Sequence, residues 1–357
     1  MRGIQAMQGA KEREVWIDNV KVIACILVLS GHFFQSMVKS GTFPENHLYL
    51  WFNRTIYCFH VPLFFICSGY LYQKYSNVED LWSWKTNVLK KALSLGVPYF
   101  TFSIATWVLK TLFSGSVNEE TGGLFEVLFL KPTSPYWYLY CLFFMFLITP
   151  TFRSRGMAVG GAAVALSFKA VSLFGGASSI YAIASVLSNE TWFIGGMCLY
   201  MADIQKKASR KTGVISAIAG VLFLVLSIIV YERDIRLTGV DFLLGAIACG
   251  AIVTGTVALY KDRRQDRMFG FLAAYTLPIF LMHTLFAAPM RILLLKVGIR
   301  NPVVHFAIGI GISFAGPILT AKMMAGIAHL DFFLYPNKYL KMDSRFRISG
   351  IQKGKYD

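Results

Sequence analysis

Two side chains that could do chemistry stand eleven residues apart in IDNVKVIACILVLSGHFF, residues 17–34. Lys21 opens an apolar run and His32 lies near its far end. Eleven residues make about three helical turns, so both side chains share one face of a helix. Asp18 precedes Lys21 by three residues and joins that face. At the helical rise per residue, His32 sits ~18 Å from the start of the segment. Ionisable groups inside an apolar span are costly, and by default they carry function. An imidazole can take a proton from a hydroxyl at neutral pH, or carry an acyl group as a nucleophile. Lys21 and Asp18 at the inner end suit a phosphate or a carbonyl. An ion pair that snorkels at the interface would use the same two residues.

The element holding this face is a membrane helix. Of 357 residues, 55% are hydrophobic and 15% charged, and the mean hydropathy is +0.54. Soluble domains carry about 25% charged residues, so the chain is short of surface charge. A span needs roughly 20 apolar residues. Ten candidates are predicted, at 20–38, 55–73, 88–112, 135–152, 156–174, 180–201, 213–231, 239–260, 268–288 and 302–324. The expected class is all-α, a polytopic helical bundle. It has a tail at 1–16, a membrane domain at 17–324 and a basic tail at 325–357. GHFFQSM, after the first run, offers no small-residue cleavage site, so that run is expected to be retained.

The net charge of +16 lies in short loops between apolar runs, which points to topology rather than to nucleic acid. With the N-terminus in the cytoplasm, inner segments hold roughly three times as many Lys and Arg as outer ones, so both termini are expected inside. Six cysteines fall in or beside apolar runs without a CxxC pair, and read as small hydrophobes rather than a disulfide or metal framework. No metal is expected.

Two more histidines reach the depth of His32. His60 and His283, on the second and ninth spans, both fall ~22 Å above the inner edge. Three histidines at one level can share a cavity. Each can also hydrogen-bond a neighbouring helix, and His60 stands beside the kinking Pro62. His47 is expected in an outer loop and His305 at the outer start of the tenth span. On the inner side, Lys85, Lys90 and Lys91 precede the third span, and Arg153 and Arg155 close the next inner loop. Topology accounts for most of them; a phosphorylated donor from the cytoplasm would use the same charges. YWYLY (136–140) and NETWF (189–193) read as an interfacial aromatic belt. They also read as a sugar-stacking platform, with Trp137 and Trp192 as faces and Asn189 and Glu190 as hydroxyl partners.

In order along the chain, IDNVKVIACILVLSGH, FHVPLFFICSGYL (59–71), SPYWYLYCLFF (134–144), ETWFIGGMCLY (190–200) and LPIFLMHTLF (277–286) resemble successive landmarks of the acyltransferase-3 family. The resemblance covers about residues 15 to 325, and its first two landmarks are the specific ones. It implies an integral-membrane enzyme of the short, membrane-only type, similar to sugar O-acetylases. Such an enzyme moves an acyl group, usually acetyl, from acyl-CoA to a sugar or cell-surface glycan, which in some cases is lipid-linked. It implies the bacterial cytoplasmic membrane and acetyl-CoA as donor. The family's first-helix signature, a basic residue, ten residues, then histidine, falls on Lys21 and His32, with lysine where arginine is commoner. Where many members carry an arginine pair before the third span, this chain has Lys90 and Lys91, followed by Pro98, without the pair's spacing. The implied roles are His32 as base or transient acyl carrier with Lys21 and Asp18; Lys85, Lys90, Lys91, Arg153 and Arg155 toward the donor; and His60, His283, Trp137, Trp192 and Glu190 toward the acceptor. A transporter of a glycan or small solute would also use intramembrane charges. The paired broken helices of two related halves that mark many transporters are not evident in the sequence.

Overall fold

A backbone that crosses hydrocarbon must satisfy its own polar groups, and the apolar runs of this chain do so as helices. The computed structural model describes residues 14–116, 122–175 and 178–339. Among these residues there are twelve α-helices and no strand. They are α1 (Val15–Lys39), α2 (His47–Tyr57), α3 (His60–Tyr75), α4 (Leu81–Leu112), α5 (Trp137–Ile148), α6 (Arg155–Phe174), α7 (Tyr181–Met201), the short α8 (Ile204–Lys207), α9 (Arg210–Glu232), α10 (Thr238–Tyr260), α11 (Arg267–Lys296) and α12 (Pro302–Gly326). The fold is a polytopic helical bundle.

Among the described residues eight helical stretches are long and apolar enough to cross a membrane, with α2 and α3 counting as one stretch, His47–Tyr75. The other two predicted spans are present as helices of a different kind. α5 has 12 residues, about 18 Å of helix, and is too short to cross alone. α7 has 21 residues, but Ser185, Ser188, Asn189, Glu190 and Thr191 dilute its hydropathy. It is a central helix, packed on α3, α5 and α6.

The α3–α7 contact is a backbone approach. A Cβ on Gly69 would lie 1.9 Å from the Phe193 carbonyl oxygen, and one on Gly196 would lie 2.0 Å from that of Ile66. Small residues bring helices this close, as is common in membranes. On the outside, α9 turns Ile215, Ile218 and Val221 outward, each more than 60% exposed. An apolar surface of this kind suits lipid.

The second span differs from its expected bounds. The helix begins at His47, not near residue 55, so His47 opens α2 rather than lying in a loop. Asn46 starts it, its side chain accepting from the Tyr49 N–H at 2.9 Å. The helix then breaks at Cys58 and Phe59 and restarts at His60. Pro62 falls in the first turn of α3, where its missing N–H costs nothing. The expected bend is therefore a break three residues upstream of the proline.

α4 starts at a capping box. The Asp80 carboxylate accepts from the Ser83 N–H at 2.7 Å, and the Ser83 hydroxyl receives the Asp80 N–H at 3.0 Å. The Ser83 N–H, then its hydroxyl, hold the Asp80 carboxyl below the usual range. After α12 the chain turns back in two short 3₁₀ segments, Leu330–Phe333 and Pro336–Lys338, which pack against α4. Asp331 clamps them: its carboxylate receives hydrogen bonds from Lys338 Nζ at 2.8 Å and from the Tyr339 hydroxyl. Burial opposes its charge, but the bonds from Lys338 and Tyr339 outweigh burial and keep the carboxyl below the usual range. Of the expected tails, residues 1–13 and 340–357 lie outside the described residues.

Candidate active site

α1 carries His32 into the bundle between α5 and α11. Its Nε2 lies 3.4 Å from the Ser134 hydroxyl, just before α5. Its ring centre is 5.3 Å from that of His283 on α11. His283 is buried, and its Nδ1 meets the carbonyls of Ile279 and Phe280, each at 3.0 Å. His60 is buried too, and its Nδ1 meets the Ile56 carbonyl at 2.6 Å, across the break between α2 and α3. A carbonyl oxygen only accepts, so Nδ1 carries a proton in both rings. Among the described residues His283 Nε2 has no hydrogen-bond partner.

Two cavities meet at His32, and Tyr57 and Ser134 line both of them as well. The first, about 220 Å³, also has His60, Trp137, Asn189 and Trp192 in its wall. Trp192 lies against Phe242, ring centres 5.0 Å apart. Lys169 and Asp241 supply charge there. The Lys169 ammonium donates to the Ser188 carbonyl at 3.0 Å and stands 4.9 Å from the Phe242 ring centre. Asp241 pairs with Arg54 at 3.4 Å. Aromatic faces beside polar groups are what a sugar ring requires of a site. The second cavity, about 310 Å³, extends along α1, α4 and α11 past Ser36, Lys39, Lys110 and Arg291. Both cavities lie along the C-terminal half of α1.

Of the expected catalytic and acceptor residues, the structure brings His32, His60, Trp137 and Trp192 to the first cavity, and sets His283 against His32. Glu190 is not on that wall. It is 3% exposed, and its carboxylate receives the Thr149 hydroxyl at 2.7 Å. The reason is helical direction. Asn189 and Trp192 are three residues apart and share a face of α7, whereas Glu190 turns about 100° away from Asn189. Glu190 is thus a packing partner of the segment after α5, which corrects its expected place beside Trp192.

Lys21 and Asp18 occupy the inner part of α1, and neither lines a cavity that reaches His32. The inner cations are spread out. The Lys91 ammonium stands 3.8 Å from the Phe146 ring centre. Arg153 pairs with Glu79 at 3.4 Å and donates to its carbonyl at 2.7 Å. Arg155 lines a shallow cavity with Lys207. Lys85 and Lys90 lie on the first turns of α4, and none of the five lines a cavity at His32.

Residues 14–322, most of the chain, match the model of a protein family described as an acyltransferase domain, the acyltransferase-3 type. The chain belongs to the acyltransferase-3 family. Among curated proteins it is similar to nodulation protein NolL of Mesorhizobium japonicum, 27% identical over 172 residues, which is 46% of this chain and 44% of that one. It is also similar to nodulation protein NolL of Sinorhizobium fredii, 32% identical over 146 residues, 41% of this chain and 38% of that one. The chain thus spans less than half the length of each. No solved structure matches it.

The geometry adds residues to the candidate site that sequence reasoning missed. Ser134, next to His32, gave no signal beyond its place before an aromatic run. Lys169 was visible as an intramembrane cation. Asp241 and Arg54 pair across 187 positions, a separation that no local pattern spans.

Proposed function

We propose that this acyltransferase moves an acyl group, acetyl by default, from acyl-CoA to a hydroxyl of a sugar or cell-surface glycan in the bacterial cytoplasmic membrane. The observation that carries the proposal is the position of His32 where two cavities meet, beside the Ser134 hydroxyl and the His283 ring. A sugar hydroxyl is a weak nucleophile until a base takes its proton. In this reading His32 takes that proton as the oxygen attacks the thioester carbonyl. The C–S bond breaks, and the proton passes to the thiolate, leaving free CoA thiol. His32 can instead take the acyl group first, release the thiol, and then pass the acyl group to the sugar. Either route needs the imidazole between donor and acceptor, and the cavity junction offers that place.

The acceptor sits in the first cavity, stacked on Trp192 or Trp137, with Asn189, Lys169 and Asp241 as hydroxyl partners. His60 orients the wall through its bond to Ile56. The donor arrives from the basic inner rim of Lys85, Lys90, Lys91, Arg153 and Arg155, and Lys21 with Asp18 steadies its phosphates. The test is acetyl-CoA turnover by the purified protein in nanodiscs with a panel of glycan acceptors, read by thiol release. Acceptor-dependent release that is lost in His32→Ala, with both proteins folded, supports the reading. Equal release from the two proteins removes His32 from the chemistry.

A further inference from the structure

Arg291 on α11 is 3% exposed, yet no carboxylate pairs with it among the described residues. Its Nη1 donates to the Ser36 carbonyl at 2.7 Å and to the Ser36 hydroxyl at 3.0 Å, and its Nε has no partner. Ser36 lies in the last turn of α1. A helix C-terminus offers about half an elementary negative charge, which compensates roughly half of a guanidinium. The same cavity wall also carries Lys39 and Lys110, and among the described residues no carboxylate lines it. A buried cation left in this state is expensive, and such a group marks a site for its counter-charge. The rest of the cavity is mainly apolar, with Leu109, Phe113 and Ile292 in its wall.

The geometry points to an anion subsite in the second cavity, in which Arg291, with Lys39 and Lys110, holds a phosphate ester of a substrate whose reacting end lies at His32. This rests on the acyl-transfer reading of His32. Ser36 is one helical turn beyond His32 on α1, so the guanidinium stands about one turn, ~6 Å along the axis, outward of the imidazole. Arginine suits phosphate because its planar fork donates from several N–H groups at once. A glycosyl phosphate on a lipid chain fits this plan: the phosphate at Arg291, the sugar toward His32 and the first cavity, the chain along the apolar wall. A phosphate of the CoA donor has the same chemistry, and the experiment separates the two.

Equilibrium binding of farnesyl phosphate, farnesol and CoA would be measured to the full-length protein in nanodiscs made of uncharged lipid. The wild type would be compared with Arg291→Gln, Arg291→Lys and Lys110→Gln. The expected result is that a phosphate ester binds roughly tenfold or more tighter than farnesol, the scale of a charge-assisted hydrogen bond. Arg291→Gln should lose this preference, and Arg291→Lys should keep part of it. If farnesyl phosphate is the ligand that responds, the acceptor side carries the phosphate; if CoA responds, the donor side does. Lys110 makes no hydrogen bond among the described residues, so weaker binding by Lys110→Gln guards against misfolding in the Arg291 variants. Unchanged affinity for both phosphate esters in folded Arg291→Gln would overturn the proposal. Thiol release is measured separately: turnover without phosphate preference rejects the subsite alone, and phosphate preference without turnover on any acceptor rejects only the acyl-transfer reading.

Discussion

The imidazoles of His32 and His283 stand 5.3 Å apart, inclined by 36°, and only one of them faces the open cavities. His283 is fixed by two backbone carbonyls at its Nδ1; among the described residues the Nε2 of His32 meets only the Ser134 hydroxyl, at 3.4 Å. In the proposed chemistry His32 therefore moves the proton, and His283 shapes and polarises the space behind it. His32→Ala should lower acyl transfer by about 10²–10⁴-fold, the range of a general base. His283→Gln should cost less and should change kcat more than the acceptor KM. Steady-state kinetics on both variants decides this; a larger loss in His283→Gln would reverse the two roles.

Trp192 and Trp137 are the aromatic faces of the first cavity. Truncating Trp192 to alanine removes a stacking surface worth about 0.5–1.5 kcal/mol beyond its buried area. The acceptor KM should rise several-fold while the acetyl-CoA KM stays fixed. Glu190→Gln, by contrast, should leave both KM values unchanged and lower thermal stability, since Glu190 faces Thr149 rather than the cavity. A raised acceptor KM in Glu190→Gln would return that residue to the site.

Gly69 and Gly196 form a reciprocal close approach between α3 and α7. Either glycine replaced by alanine drives a methyl into a carbonyl oxygen of the partner helix, an overpacking that costs about 1–3 kcal/mol. Both variants should melt earlier in detergent than the wild type. Gly250→Ala, where an added Cβ meets nothing within 4 Å, serves as the control and should melt with the wild type.

The Asp331 clamp on α4 should loosen in acid. Its folded carboxyl lies below the usual carboxylate range, so the clamp is fully present above the unfolded value and is lost as pH falls through the lower folded one. Protection against hydrogen exchange in residues 330–339, taken relative to the intrinsic rate at each pH, should fall below about pH 4, where an unperturbed aspartate takes up its proton. Asp331→Asn should show fast exchange already at neutral pH. Protection in that variant equal to wild type would place the clamp elsewhere.

The helical class and most span positions were legible because about twenty apolar residues and flanking Lys or Arg are local signals. The shared depth of His32, His60 and His283 was legible for a related reason: helical rise converts residue number into height. Rotation is harder. Glu190 and Asn189 are neighbours in the chain, and only the packing of α7 on α3, α5 and α6 decides which of them meets the cavity. The break at Cys58 was hidden by Pro62, the stronger local signal. Arg291 sat among loop charges that topology already explained, and its burial became visible only with α1 and α4 beside it.

α5 ends after 12 residues, and the extended stretch that follows borrows its polar partners from α3. The Tyr72 hydroxyl donates to the Thr149 carbonyl at 2.7 Å, and the Gln73 amide donates to the Phe152 carbonyl and accepts its N–H, both at 2.9 Å. Glu190 of α7 completes this set through Thr149. A segment this short has no stable place in bare lipid, and its backbone stays costly until those partners arrive. α3 precedes α5 in the chain, so the partners of that backbone are already made when α5 emerges, and only Glu190 comes later, with α7. The centre of the bundle is therefore built in two stages: α5 first joins α3, and α7 then seals Thr149.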